Sequence, residues 1–247
     1  MVAEREVVAC NLCGLDDATV IAERDRYGLE TRIVQCKGCG LRYQNPRMTL
    51  EAYAEFYRGE YRALIERLMG RPYPLAEIEA DQWRYAADLT NAAARWLEPT
   101  AGGALLDIGG STGIVGRLCR ARWGHHVTVI DPSPEELARA RDCRTICAPA
   151  ESATFPRADV ALMCRTVDHL LDPKGVLTRL ARVARLLIVD AMDVDGWPEN
   201  SRYKVDHPYA FTGQTLMAVV RAAGWRVRAQ WRRRGNQYVG LVCSPQE

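Results

Sequence analysis

The sequence predicts an open α/β fold: a seven-stranded, mostly parallel sheet with helices on both faces, preceded by a small cysteine-stapled ribbon. Three observations carry this. Residues 104–113 pass from a short apolar strand into the glycine-rich turn Gly109-Gly110-Ser111-Thr112-Gly113, and the helical pattern of residues 114–119 follows. Further apolar runs at residues 127–131, 145–147, 159–164 and 186–190 alternate with helical stretches, as a buried parallel sheet requires. Upstream stand two pairs, Cys10-x-x-Cys13 and Cys36-x-x-Cys39.

Composition bounds the possibilities. The chain of 247 residues allows one large domain, or one domain plus a small module, and it is long enough for a real core. A formal net charge of +2 does not announce nucleic acid or membrane as a partner. The late arginines Arg226, Arg228, Arg232, Arg233 and Arg234 read as a solvated strand face and loop. No apolar run approaches the ~18 residues of a membrane span, and the N-terminus lacks a signal peptide's apolar segment. Cytoplasmic localisation is therefore expected, and nine cysteines in such a chain point to metal or free thiols before disulfides.

In chain order, the two cysteine pairs, each followed by glycine (Gly14, Gly40), let two turns present four thiolates to one tetrahedral ion. Residues 19–22 and 31–34 between them alternate like the strands of a hairpin. Four cysteines leave no open coordination position, so the expected metal is a structural zinc held by Cys10, Cys13, Cys36 and Cys39. Residues 49–69 are helical, with an aromatic stripe that reads first as packing, although Tyr53, Tyr57 and Tyr61 are spaced to line a pocket from one face. A loop at residues 70–74 precedes a second helix over residues 78–97, with Trp83, Ala87, Thr90, Ala94 and Leu97 expected inward. After the 159–164 strand comes a loop, 165–173, that carries Asp168 and His169. A long loop, 191–205, leads to His207; long loops are often functional. A helix over residues 214–223 and an antiparallel pair at 225–231 and 237–243 complete the sheet. The implied division is a ribbon (1–46), a helical cap (47–99) and a cofactor domain (100–247).

A strand that feeds a helix through a glycine-rich turn is a nucleotide-binding corner. The dinucleotide fingerprint fails here, since Ser111 and Ile114 occupy its second and third glycine positions, and Asp107 would repel a pyrophosphate. An ammonium-bearing cofactor without phosphate suits that carboxylate. The run Leu-Leu-Asp-Ile-Gly-Gly-Ser-Thr-Gly at 105–113 resembles the first motif of class I S-adenosylmethionine-dependent methyltransferases, whose fold is Rossmann-like, with Ser111 where glycine is commoner. Residues 36–47 look like the ribbon-to-helix junction of bacterial methyltransferases of sugar, polysaccharide and natural-product biosynthesis, and the resemblance covers nearly the whole chain. It implies cofactor contacts at Asp107, Gly109, Gly110, Ser111 and Gly113, at Asp131 and Pro132 for the ribose, at Ala150 and Glu151 for adenine, and at Cys164 and Arg165.

Methyl transfer to a hydroxyl needs geometry and a base. His125 and His126 fall at the sheet's amino-terminal edge, whereas His169 and His207 fall at its carboxyl edge, where ligands bind. The candidates for catalysis are His169, His207 and Asp168, with His169 favoured because its loop lies nearest the sulfonium in this fold and Asp168 adjoins it. Arg165 occupies a position where some relatives carry a metal carboxylate, which argues against catalytic magnesium. The resulting expectation is O-methylation of a sugar or sugar-derived hydroxyl, or of another small natural-product acceptor, with oligomeric state undetermined. The first rival is C-methylation of a keto-sugar nucleotide, a branch that usually carries a further C-terminal domain after the last strand. RNA methylation is poorly supported, because the ribbon is not notably basic and an Asn-Pro-Pro-Tyr type of motif is missing. A non-catalytic binding module would not need both Asp107 and Asp131.

Overall fold

The computed structural model describes residues 4–246. The ribbon comes first: β1 (Arg5–Glu6), β2 (Ala18–Arg24), β3 (Glu30–Cys36), β4 (Arg42–Gln44) and β5 (Arg47–Met48). Thr49 then caps α1 (Leu50–Glu55) by accepting the Ala52 amide, a π-turn (Phe56–Glu60) follows, and α2 (Tyr61–Met69) ends on Gly70 in the left-handed conformation. The long helix is α3 (Leu75–Leu97). Its buried stripe is Tyr85, Ala86, Leu89, Thr90, Ala93 and Leu97, rotated from the expected face. Trp83 and Ala87 are exposed and Ala94 half-buried, because the small residues Ala86 and Ala93 let the helix approach the sheet while Trp83 lies outside under the Arg117 guanidinium.

The main sheet comprises β6 (Ala104–Ile108), β7 (His126–Asp131), β8 (Arg144–Cys147), β9 (Ala158–Cys164) and β10 (Ala184–Met192), joined by α4 (Ile114–Trp123), the short α5 (Pro134–Leu137) and α6 (Pro173–Leu180). After β11 (Tyr209–Ala210) and α7 (Gly213–Ala222), β12 (Trp225–Arg233) and β13 (Tyr238–Pro245) complete it. The strand order is β12-β13-β10-β9-β6-β7-β8, with β13 antiparallel to both of its neighbours. The order turns at β6 and β9, so the carboxyl ends of these strands open the crevice where ligands bind in such sheets. Trp225, fully buried, donates its indole N–H to Leu177 O at 2.9 Å and ties β12 to α6.

One face of the sheet packs against α3 and α4. The other packs against α6 and α7, and also against Cys10, Val34, Cys36, Leu41 and Tyr43 of the ribbon, so these residues share the sheet's core. The ribbon sheet itself has the order β11-β4-β3-β2, and Tyr209 pairs with Tyr43 across it. That fourth strand was not legible in the sequence: it is two residues long, and it comes from the far side of the chain.

Candidate active site

The glycine turn is built as its residues demand. Gly109 and Gly113 have φ of 64° and 72°, and a Cβ on Gly109 would run into Thr166 of the neighbouring loop. Ser111 adopts φ 53° where glycine is the easier residue; its amide donates to Asp131 Oδ2 at 2.9 Å, and Gln82 of α3 donates to its hydroxyl at 2.8 Å. The same Gln82 accepts from Thr112. Asp131 ends β7 and accepts a second amide, from Ser133, also at 2.9 Å. Burial pushes its carboxyl up to about 6. Asp107 lies under the turn, 1% exposed, with Oδ2 accepting the Gly116 amide at 3.0 Å, and burial lifts it to about 7. A carboxylate at the end of the neighbouring strand suits ribose hydroxyls.

In the turn after β8, where the resemblance implies adenine contacts, Ala150 is buried and Glu151 Oε1 accepts the Leu171 amide at 2.8 Å. Arg179 donates to the carbonyls of Ala150, Glu151 and Ala153, which fixes this turn. Pro132, after β7, is exposed. Cys164, the last residue of β9, is buried, and burial drives its thiol well above the usual range.

Across the crevice stands a cluster assembled from three distant segments. The ligand atoms of Asp168, His169 and His207 all lie within 4.8 Å of one another, and the two imidazoles meet edge-on with centroids 4.3 Å apart. Tyr57 Oη is 2.5 Å from His169 Nδ1 and also donates to Asp206 O at 3.2 Å. Tyr53 donates to His169 O at 2.8 Å. Burial holds both phenols, and that of Tyr61, well above their ordinary range, so they stay protonated. The aromatic stripe thus does more than pack: the π-turn places Tyr57 on the imidazole.

Asp168 does not serve its neighbour in sequence. Its Oδ2 faces His207 Nδ1 at 3.3 Å, while its Oδ1 is buried without a partner. Lys204 reaches His207 Nε2 at 3.0 Å and Asp206 Oδ2 at 2.9 Å. The ammonium can only donate, so Nε2 is the lone-pair nitrogen of His207 and the proton sits on Nδ1, facing Asp168. Burial first, then the charge of Lys204, holds His207 well below the ordinary imidazole range, so it stays neutral. Asp206 goes the other way: burial would raise its carboxyl, but the Lys204 ammonium outweighs that and lowers it.

The ribbon holds this loop. Gln44, 2% exposed, directs its side-chain amide at the carbonyls of Lys204, Val205 and His207 at 3.2, 2.9 and 2.9 Å. Asp25 accepts the Val205 amide at 3.0 Å, and Arg26 donates to Ser201 O. Asp25 carried no signal in the sequence, and Gln44 stood only within the 36–47 motif, with nothing to tie it to this loop. Lys204 and Asp206, which flank His207 in a polar loop, carried a weak one.

Of the late arginines, Arg233 is not solvated as expected, whereas Arg232 stays exposed while reaching a buried carboxylate. Arg233 pairs with buried Asp190 at 2.6 Å, and Arg232 pairs with buried Asp193 at 2.5 Å. The buried carboxylates recruit them, and Asp190 also accepts the Tyr85 hydroxyl at 2.9 Å. Elsewhere, His125 and His126 line a groove of about 650 Å³ at the sheet's amino-terminal edge, with Arg120, Arg144 and Arg157, away from the Asp168, His169 and His207 cluster.

The four ribbon cysteines bring their sulfurs within 4.8 Å of one another, with Cys10 to Cys39 at 3.4 Å and Cys13 to Cys36 at 3.5 Å. Zn–S bonds of about 2.3 Å in a tetrahedron place sulfurs about 3.7 Å apart, so the donors fit. The two turns match: Gly14 and Gly40, both at positive φ, donate to Cys10 O and Cys36 O. At Cys36 burial opposes ionisation, but the amides of Cys39 and Gly38 outweigh it and lower the thiol to about 7.

A family model described as a methyltransferase domain matches residues 53–230, well over half of the chain. The chain belongs to that family. It is an S-adenosylmethionine-dependent methyltransferase with the seven-stranded Rossmann-like sheet of its class. No curated protein matches the methyltransferase. Among solved structures it is similar to a Burkholderia thailandensis 1,6-didemethyltoxoflavin-N1-methyltransferase with bound 1,6-didemethyltoxoflavin and S-adenosylhomocysteine (TM-score 0.60, 18% identity, 94% of this chain and 100% of that one). It is also similar to the complex between the Haloferax volcanii Trm112 methyltransferase activator and a putative methyltransferase (0.58, 15%, 79% and 98%). A third is a SAM-dependent methyltransferase from Aquifex aeolicus (0.52, 17%, 62% and 87%). At these identities the likeness speaks for the fold. No helix among the described residues is long and apolar enough to cross a membrane.

Proposed function

We propose that the methyltransferase O-methylates a hydroxyl of a small biosynthetic acceptor, a sugar or sugar-derived or other natural-product intermediate, with His169 as the base. The observation that carries this is the pairing of Tyr57 with His169 Nδ1 at 2.5 Å, on a loop whose Thr166 abuts the glycine turn. Bound S-adenosylmethionine supplies a methyl group already activated by its sulfonium. Asp131 and the 109–113 turn hold the adenosyl part, with Pro132, Ala150, Glu151 and Cys164 beside it. With the Tyr57 proton given to Asp206 O, the phenol oxygen accepts Nδ1–H and His169 Nε2 keeps the lone pair. Nε2 then takes the acceptor hydroxyl's proton. His207 has both ring nitrogens engaged, so its role is to position Asp168 and the loop. The cap of residues 47–99 closes the acceptor side through Tyr53 and Tyr57, over the domain of residues 100–247.

We further assign a structural zinc to Cys10, Cys13, Cys36 and Cys39, in the ribbon of residues 1–46. Elemental analysis of freshly purified protein should find one zinc per chain, and a metal-free protein with normal stability would refute it. The function is tested by incubating the protein with methyl-labelled S-adenosylmethionine and candidate sugar or natural-product intermediates. The expected product gains one methyl, whose carbon resonance is that of an ether. A methyl on carbon would instead establish C-methylation, with the same base acting next to a carbonyl.

A further inference from the structure

Arg165 is a cation with no anion. Among the described residues its side chain makes no hydrogen bond and no ion pair, and its Nε is buried without a partner. Its guanidinium is clamped between the rings of Tyr85, 4.2 Å away, and Tyr238, 4.8 Å away. The backbone is set to hold it there: φ is 56°, rare for a side chain of this size, and the Arg165 amide donates to Asp190 O at 2.8 Å. Beside it, the Arg233 side chain is only 9% exposed, and one nitrogen satisfies Asp190 while Nε and Nη1 are buried without partners.

The other charges around this pair are accounted for. Asp190 is shared by Arg233 and the Tyr85 hydroxyl, Asp193 is taken by Arg232, and Asp81 by Arg84 and the Tyr73 hydroxyl. One half-buried positive charge is therefore left over, with three unpartnered nitrogens on two planar guanidiniums. Ring stacking offsets part of the cost of such a group, but a ring face does not replace in-plane hydrogen bonds.

We propose that Arg165, backed by Arg233, binds an oxyanion, a carboxylate or phosphate carried by the methyl acceptor. The location rests on the methyltransferase reading. Arg165 follows β9, but its guanidinium stacks on Tyr238 of β13, a ring that Arg233 of β12 also faces, beyond β10 and away from β6. At about 4.8 Å per strand, β13 stands roughly 14 Å from the strand that carries the glycine turn. An anion there belongs to the acceptor side and replaces the cofactor contact that the resemblance implied for Arg165, which selects acidic acceptors by pairing with them in the plane of its fork.

The test uses the zinc-loaded protein saturated with S-adenosylhomocysteine. Thermal stability is followed against inorganic phosphate and acetate, with chloride at matched ionic strength as reference. Wild type should show saturable stabilisation by at least one oxyanion. Arg165→Gln, folded by circular dichroism, should need at least tenfold more anion, and Arg165→Lys should recover part of the response. S-adenosylhomocysteine affinity in Arg165→Gln should stay within threefold of wild type. If that affinity instead falls tenfold, and the anions compete with S-adenosylhomocysteine in wild type, the site still binds an oxyanion but the cofactor's own carboxylate is its source. Equal anion responses in wild type and Arg165→Gln, or none in either, overturn the proposal. The methyltransferase reading then stands or falls separately, on cofactor binding and product.

Discussion

The two sides of the crevice are built on opposite plans. On the proposed cofactor side, the two carboxylates are fixed by backbone amides, Asp131 by those of Ser111 and Ser133 and Asp107 by that of Gly116, with Gln82 and Arg179 bracing the turns around them. On the proposed acceptor side, Lys204 apart, the histidines are held by groups from far along the chain. Tyr57 precedes His169 by more than a hundred residues, and Gln44 holds the carbonyls around His207 from farther still. A local site is robust to what happens elsewhere in the fold. A site assembled from three segments depends on the ribbon staying folded.

The largest effect that separates the two sides should come from His169→Ala. Turnover should fall by ~10²–10⁴-fold, as for loss of a general base, while S-adenosylhomocysteine affinity by calorimetry hardly moves. Near-normal turnover with a good acceptor would remove His169 as base and point to an acceptor that is already acidic. Next is the reverse case, Asp131→Ala, which should weaken S-adenosylhomocysteine binding by about 1.5–3 kcal/mol. An unchanged Kd would show that the ribose lies elsewhere.

Gln44→Ala sharpens the comparison, because it lies in the ribbon and touches neither ligand. Removing the donor of three carbonyl contacts should cost about 1–3 kcal/mol of stability by denaturant titration, and turnover should drop while cofactor affinity holds. If both activities drop together, the ribbon supports the whole sheet and not the histidine loop alone.

The smallest effect is on pH. Asp131 is raised to about 6 in the free protein, and only its ionised form accepts both ribose hydroxyls. Affinity for S-adenosylhomocysteine should be flat above that value and weaken below it, by at most about tenfold per pH unit. Asp107, raised to about 7, titrates in a neighbouring window. Asp131→Asn should therefore abolish the step near 6 and move any Asp107 step below 7, because the Asp131 charge is one of the causes that raise Asp107.

Local signals account for what the sequence by itself determined. The strand, glycine turn and helix at 104–119, the carboxylate ending β7, the paired cysteines and the alternation of apolar strands with helices each lie within a few residues and follow from local geometry. They were enough to specify the sheet and its cofactor corner, and the ribbon's four converging sulfurs. Only the tertiary structure decided which face of α3 turned inward, that Asp168 meets His207 and not His169, and that a ribbon glutamine supports the loop. It also turned Arg233 inward, because the buried charge of Asp190 had to be met. The physical reason is common to these cases. A buried polar group must find its partner in space, and sequence distance says nothing about where that partner will be.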